Sequence, residues 1–229
     1  MGTLAEVGDI DFSAWGKRIP KNCLIDRDST IVSICKGKSV LHIGAADSPF
    51  HEDKAKQGIL LHQKVEHVAS ELIGVDVDQE AIEDLKKWGV KNIILGDIQS
   101  KELLSGKIFD VVLCCDVIEH VDGPRQLLDA AARFLGEHSS LIITTINATA
   151  AKPVLRAIFG YEAVHPDHIC YFSFGTLFQL IHRCKLKPEY FGTFNYPTVR
   201  QSTGALMKVV SHYMPGLGDG IMAVAKRTV

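Results

Sequence analysis

Apolar and polar positions along the chain fall into short blocks whose spacing switches repeatedly between the strand and helix periods. Residues 39–43 (SVLHI) are a compact, largely apolar run with β-branched members, the mark of a buried strand. Four similar runs follow. ELIGVDVD (71–78) reads as a strand ending on Asp76, and KNIILGD (91–97) as one ending on Asp97. KIFDVVLCCDVIEHV (107–121) opens apolar and turns polar at Asp116, and SSLIITTIN (139–147) is a fifth strand. Helical patterns lie between them. Leu61, Val65, Val68 and Leu72 recur at helical spacing after a polar, irregular stretch at 49–58. DQEAIEDLKKWG (78–89) has Asp78 as N-cap, Ile82 and Leu85 on one face and a terminal Gly. PRQLLDAAARFLG (124–136) has Pro in its first turn and Gly at its end. Strand and helix alternate about five times, which predicts an α/β fold, a doubly wound and mostly parallel sheet with helices on both faces.

The last third changes character. Residues 147–172 read as an irregular insertion bearing histidines and aromatics. A helix (172–184), a strand (187–196), a helix near 199–213 and a final strand (218–227) complete the pattern. The total is seven strands, the last antiparallel. Residues 1–37 hold no strong sheet signal and read as an arm or cap, packing through Phe12 and Trp15 or closing as a lid through Trp15 or Arg18. With no repeat or low-complexity linker, residues 38–229 read as one domain.

Composition narrows the function. A chain of 229 residues, 46% hydrophobic and 23% charged, is ordinary for one folded domain. A formal charge of −2 speaks against a dedicated nucleic-acid binder. No apolar run reaches the ~18 residues needed to span a bilayer, and the six cysteines show no C-x-x-C pair. Reduced thiols in a cytoplasmic protein are the expectation.

The chemistry concentrates where strands end. After Ile43 the chain reads Gly44-Ala45-Ala46-Asp47-Ser48, small residues that permit a tight turn and the close approach of a ligand. The acids at Asp76, Asp97 and Asp116 then recur at successive carboxyl ends, where doubly wound sheets bind ligands. Asp76 can accept ribose hydroxyls or cap the next helix. Asp97 reads as a ligand contact beside the Ile98 amide, or can serve its own turn. Asp116 reads as a cofactor or substrate contact, or as a cap. Glu119 and His120 read as cleft residues or as a hydrogen-bonded brace. Asp116, Glu119 and His120 can in principle chelate a divalent ion, yet no other ligand set has metal-site spacing, and no metal is expected.

Together these residues resemble a class I S-adenosylmethionine-dependent methyltransferase, of the small-molecule and glycan O-methyltransferase type akin to the ubiquinone-biosynthesis enzymes. VLHIGAADSP matches the cofactor turn, GVDVD the ribose acid, GDI the adenine edge, FDVVLCCDVIEHV the fourth strand and its loop, and HICYFSFGTLFQLI the segment after the insertion. The match runs from about residue 38 to 185. It implies a Rossmann-like methyltransferase fold and S-adenosylmethionine held by Gly44, Ala45, Ala46, Asp47, Asp76, Val77, Gly96, Asp97, Ile98, Cys115, Asp116 and His120. Two departures stand out. His42 occupies the place of an acid that helps hold the cofactor's methionine end, for which Asp47 or the N-terminal arm is the substitute, and Ala46 replaces a glycine. Asp76 also lies thirty-two positions after Gly44, against ~20 in a compact dinucleotide fingerprint, which implies an enlarged loop at 48–58.

Methyl transfer is an in-line displacement in which positioning dominates. A hydroxyl acceptor gains from a base, and a neutral imidazole suits that task near pH 7. His168 and His165 of HPDH, just before Tyr171 and Phe172, are the catalytic candidates, each with a structural role as the alternative. His-x-x-His with Cys170 lacks the second cluster that zinc needs. The expected reaction is O-methylation of a small hydroxylated metabolite or sugar. A cofactor-binding protein of the same fold without chemistry is the rival, and a nicotinamide-dependent oxidoreductase a third reading.

Overall fold

The structure, a computed structural model, describes residues 3–8, 10–21, 23–196 and 213–228. Its centre is an eight-stranded sheet built from β1 (Ala5–Glu6), β2 (Ser39–Ile43), β3 (Glu71–Asp76), β4 (Ile93–Leu95), β5 (Phe109–Cys115), β6 (Leu135–Ile146), β7 (Leu186–Phe194) and β8 (Gly220–Arg227), in the order β1-β7-β8-β6-β5-β2-β3-β4. β2 to β6 pair in parallel, whereas β8 runs antiparallel between β6 and β7. All seven expected strands are present with the last one reversed. The eighth, β1, is a two-residue edge addition pairing Ala5 with Phe191.

Helices cover both faces: α1 (Arg27–Cys35), α2 (His51–Lys56), α3 (Leu61–Glu66), α4 (Gln79–Lys87), α5 (Pro124–Ala132), α6 (Ala151–Ile158) and α7 (Phe174–Arg183). Coverage on two sides explains why β5 is buried at every position except Asp110, whose carboxylate accepts from the Ser39 amide and hydroxyl. Two capping signals form as read, Asp78 accepting from the Ala81 amide at 3.0 Å and Pro124 opening α5, whereas α5 stops at Ala132 and Gly136, expected to end it, lies in β6. α7 starts on a reciprocal capping box between Ser173 and Thr176.

Four other local expectations change. The polar stretch after residue 48 contains α2, the helix expected over 60–72 stops at Glu66, and the insertion at 147–172 begins with α6. Within the first 37 residues, α1 inserts Ile31 and Cys35, both fully buried, against β2 and β5 side chains. The helix expected near 199–213 lies almost entirely outside the described residues.

The position of the site follows from the topology. β2 continues to β3 and β4 on one side, and the chain then returns to place β5 on the other. The carboxyl ends of β2 and β5 therefore flank the point where strand order reverses, the crevice in which open α/β sheets bind ligands.

Candidate active site

At the end of β2 the backbone enters a turn that only glycine fits. Gly44 has φ +71°, and a Cβ there would collide with the Val117 side chain. The turn is held from below: the Gly44 and Ala45 amides donate to Val75 O at 2.9 and 3.3 Å, and the Ala46 amide to Asp76 Oδ2 at 2.8 Å. Asp47, also at positive φ, is paired with Lys54 of α2 at 2.6 Å.

Asp76 is half-buried. Besides Ala46 it accepts from the Asp78 amide at 3.0 Å, so one carboxylate fixes the turn and the entry to α4 and still keeps lone pairs for a ligand. Asp97 is exposed and accepts from the Gln99 amide at 2.8 Å, with Gly96 and Ile98 beside it on the cavity wall. Asp116, at φ +55°, is far from free. It accepts from Arg27 Nη2 at 2.7 Å, Thr144 Oγ1 at 2.9 Å and the Tyr196 hydroxyl at 3.1 Å. Asp116 thus anchors Arg27 and, with three of its four lone-pair positions occupied within the protein, keeps one on the cavity wall.

Arg27, the first residue of α1, also bonds Asp28 at 3.0 Å and approaches Thr144 Oγ1. The carboxylates around it raise its pKa despite burial, so it is a fixed cation. Glu119 is buried, accepts from Thr145 Oγ1 at 2.9 Å, and is pushed up to about 8 by burial and by the Asp116 charge. The insertion reaches back to this turn. The Ile169 amide donates to Glu119 O at 3.0 Å and Cys170 Sγ to Ile118 O at 3.4 Å.

That contact gathers three imidazoles together. His168 lies 4.5 Å from His120 and 4.9 Å from His165 between ring centroids, and Phe50 of the α2 loop meets His165 edge-on at 6.4 Å. His168 Nδ1 is buried without a hydrogen-bond partner, and burial together with the neighbouring imidazoles pulls its pKa down. Ligand atoms of Glu119, His120 and His168 lie within 4.8 Å of one another, close enough to share one divalent ion.

These groups border one cavity of about 660 Å³, within the size range of small-molecule sites. Of the residues expected from sequence, it brings together Gly44, Ala45, Asp47, Asp76, Val77, Gly96, Asp97, Ile98, Cys115, Asp116, His120, His165 and His168. Ala46 is instead buried behind the turn among Leu60, Leu85 and their neighbours. Cys115 presents a thiol whose pKa burial pushes up to about 12, so it is an apolar wall rather than a nucleophile.

A profile of the methyltransferase domain matches residues 26–187. The chain belongs to the methyltransferase-domain family. It is 32% identical over 145 residues to a ubiquinone biosynthesis O-methyltransferase of Xylella fastidiosa (strain M23), covering 61% of this chain and 54% of that protein. Over 112 residues it is 29% identical to the protein of the same name from Xanthomonas oryzae pv. oryzae (strain PXO99A), covering 47% and 46%. The chain thus spans about half the length of these relatives. The magnesium protoporphyrin IX methyltransferase of Synechocystis PCC 6803, solved with bound S-adenosylhomocysteine, superposes with TM-score 0.57 at 14% identity, over 88% of this chain and 82% of that one. That likeness carries the fold.

The cavity lining combines acids with spare lone pairs, the apolar side chains of Ile98, Leu127 and Val77, and the fixed cation Arg27. The cation was not foreseen. The arm at 1–37, one expected substitute for the missing motif acid, does reach the cavity, but through the cation Arg27, with Tyr196 and Thr144 around the same Asp116 carboxylate. The available signal was Asp26-Arg27-Asp28, an N-cap acid opening a helix with a cation at its first position. No helix of the described residues is long and apolar enough to cross a membrane.

Proposed function

We propose that this methyltransferase O-methylates a small hydroxylated molecule or sugar, with His168 as the general base. The observation that carries the reading is the buried, unpartnered Nδ1 of His168 on the wall of the cofactor cavity, on a ring its surroundings keep neutral. A bare imidazole nitrogen at that place is ready to take a proton. Bound S-adenosylmethionine supplies a methyl group activated by its sulfonium. Asp76 accepts from the ribose hydroxyls, Asp97 and the Ile98 amide meet the adenine edge, and Arg27 takes the carboxylate of the methionine end. The acceptor hydroxyl enters between Phe50, His165 and His168, gives its proton to His168, and forms the new O–C bond as the C–S bond breaks. The names of the relatives support oxygen as the acceptor atom. We read residues 38–229 as the catalytic domain, with the insertion at 147–172 shaping the acceptor side.

Replacing His168 with Gln is expected to lower turnover by roughly 10²–10⁴ and leave cofactor affinity near wild type. Retention of near-normal turnover together with the acidic limb of the pH–rate profile sinks the base. A second reading, a divalent ion held by Glu119, His120 and His168, draws on their mutual 4.8 Å spacing. It requires that chelation abolish turnover and that one added divalent metal restore it. The base reading expects chelation to leave turnover unchanged.

A further inference from the structure

S-Adenosylmethionine ends in an α-amino acid, so its site must satisfy a carboxylate and an adjacent ammonium carrying three protons. Several polar groups here are partly engaged within the protein. The amides of Gly44, Ala45 and Ala46 point back to β3. Asp47 holds Lys54 and Asp116 holds three donors. With Arg27 assigned to the carboxylate, as proposed above, the three ammonium protons call for more than one acceptor.

His42 supplies one, and hydrogen-bond logic fixes the nitrogen that does so. His62 Nε2 lies 3.1 Å from Lys91 O, and a carbonyl oxygen only accepts, so His62 carries its proton on Nε2. Its Nδ1 then bears a lone pair. That lone pair faces His42 Nδ1 at 3.3 Å, so His42 Nδ1–H donates and His42 Nε2 is left as a bare acceptor. The two rings are nearly parallel, 17° apart, and both border the cofactor cavity. Burial, then the neighbouring His62 and Arg27, pull the His42 pKa well down, so the ring carries a single proton. The arrangement is built into the sheet. A Cβ at position 74 would come within 2.8 Å of His62 Cε1, so glycine in β3 is what makes room for the second ring.

We propose that His42 Nε2 accepts a hydrogen bond from the α-ammonium of S-adenosylmethionine, with His62 and the Lys91 carbonyl fixing the tautomer that makes it an acceptor. A neutral imidazole thereby does the work of a carboxylate.

Calorimetry on the full chain with S-adenosylmethionine, S-adenosylhomocysteine and 5′-methylthioadenosine tests this, because the last ligand lacks the amino-acid end. His42→Leu should weaken the first two by roughly ten- to a hundredfold and leave the third unchanged. His62→Leu should act in the same direction. His62→Gln should restore affinity, since an amide can accept from Nδ1–H and donate to the Lys91 carbonyl. Nitrogen-resolved NMR of histidine-labelled wild-type protein needs no variant and should find His42 protonated on Nδ1 alone. Equal losses for all three ligands, a change within threefold for S-adenosylmethionine, or a proton on His42 Nε2 each overturn the proposal. Wild-type protein that binds 5′-methylthioadenosine as tightly as S-adenosylmethionine overturns the Arg27 assignment as well.

Discussion

Arg27 shows what one residue does when its neighbours are drawn from across the chain. Its guanidinium reaches Asp116, 89 positions away, and the Tyr196 hydroxyl meets the same carboxylate from 80 positions on the other side. Replacing Arg27 with Met keeps the length of the side chain and removes the cation. Losing one or two hydrogen bonds to a charged group costs roughly 1.5–3 kcal/mol each. S-Adenosylhomocysteine affinity should therefore fall at least about tenfold, read by calorimetry, and a change within threefold discards Arg27 as the carboxylate partner. Asp76, Asp97 and Asp116 were legible because each ends an apolar run, and strand ends can be counted from the sequence. Arg27 was not, since it lies in no periodic block, and Tyr196, although it ends the strand expected over 187–196, carries no charge to mark a ligand contact. The partial filling of Asp116 was equally invisible, because a carboxylate's free lone pairs depend on contacts that only folding makes.

Elements were legible in proportion to how much apolar surface they bury. β2, β5 and α4 announce themselves because nearly every apolar position faces the core. α1 buries only Ile31 and Cys35, and α6 buries only Ala151 while Val154, Leu155 and Ile158 stay exposed, so neither carries a readable core stripe. The turn after β2 was legible as small residues, but the reason for Gly44 is positional: left-handed backbone with Val117 against it. Gly44→Ala should cost at least about 1–2 kcal/mol for the backbone alone, with more for displacing Val117. A fall in Tm of about 2–4 °C per kcal/mol is expected for a domain of this size. Cofactor affinity should drop with it, because the turn amides would shift off Val75 O. An unchanged melting curve with unchanged affinity would remove the turn from both roles.

At the scale of the molecule, alternation gave the doubly wound class, while the strand order, and with it the crevice between β2 and β5, emerges only from the packed sheet. The same packing buries ionisable groups of opposite habit, and stability should register both. His62 is held down at about 4 in the fold, from an ordinary 6.5, and His42 is lowered in the same sense. Their contribution is complete above pH 6.5 and is lost as pH falls towards 4, because the unfolded chain takes up the protons first. Glu119 behaves oppositely. Raised to about 8 from 4.5, it holds its proton better in the fold, so its contribution is complete below pH 4.5 and fades as pH rises through 8. Between 4.5 and 6.5 the two trends oppose each other. From 6.5 to 8 only Glu119 among these three is still changing, so Tm should decline across that window. Glu119→Gln keeps an acceptor for Thr145 Oγ1 and cannot ionise, so its melting profile should be flat where the wild type slopes. Parallel profiles for the two proteins between pH 6.5 and 8 would mean that Glu119 does not enter the fold protonated, and that the charge beside Asp116 is balanced by another group.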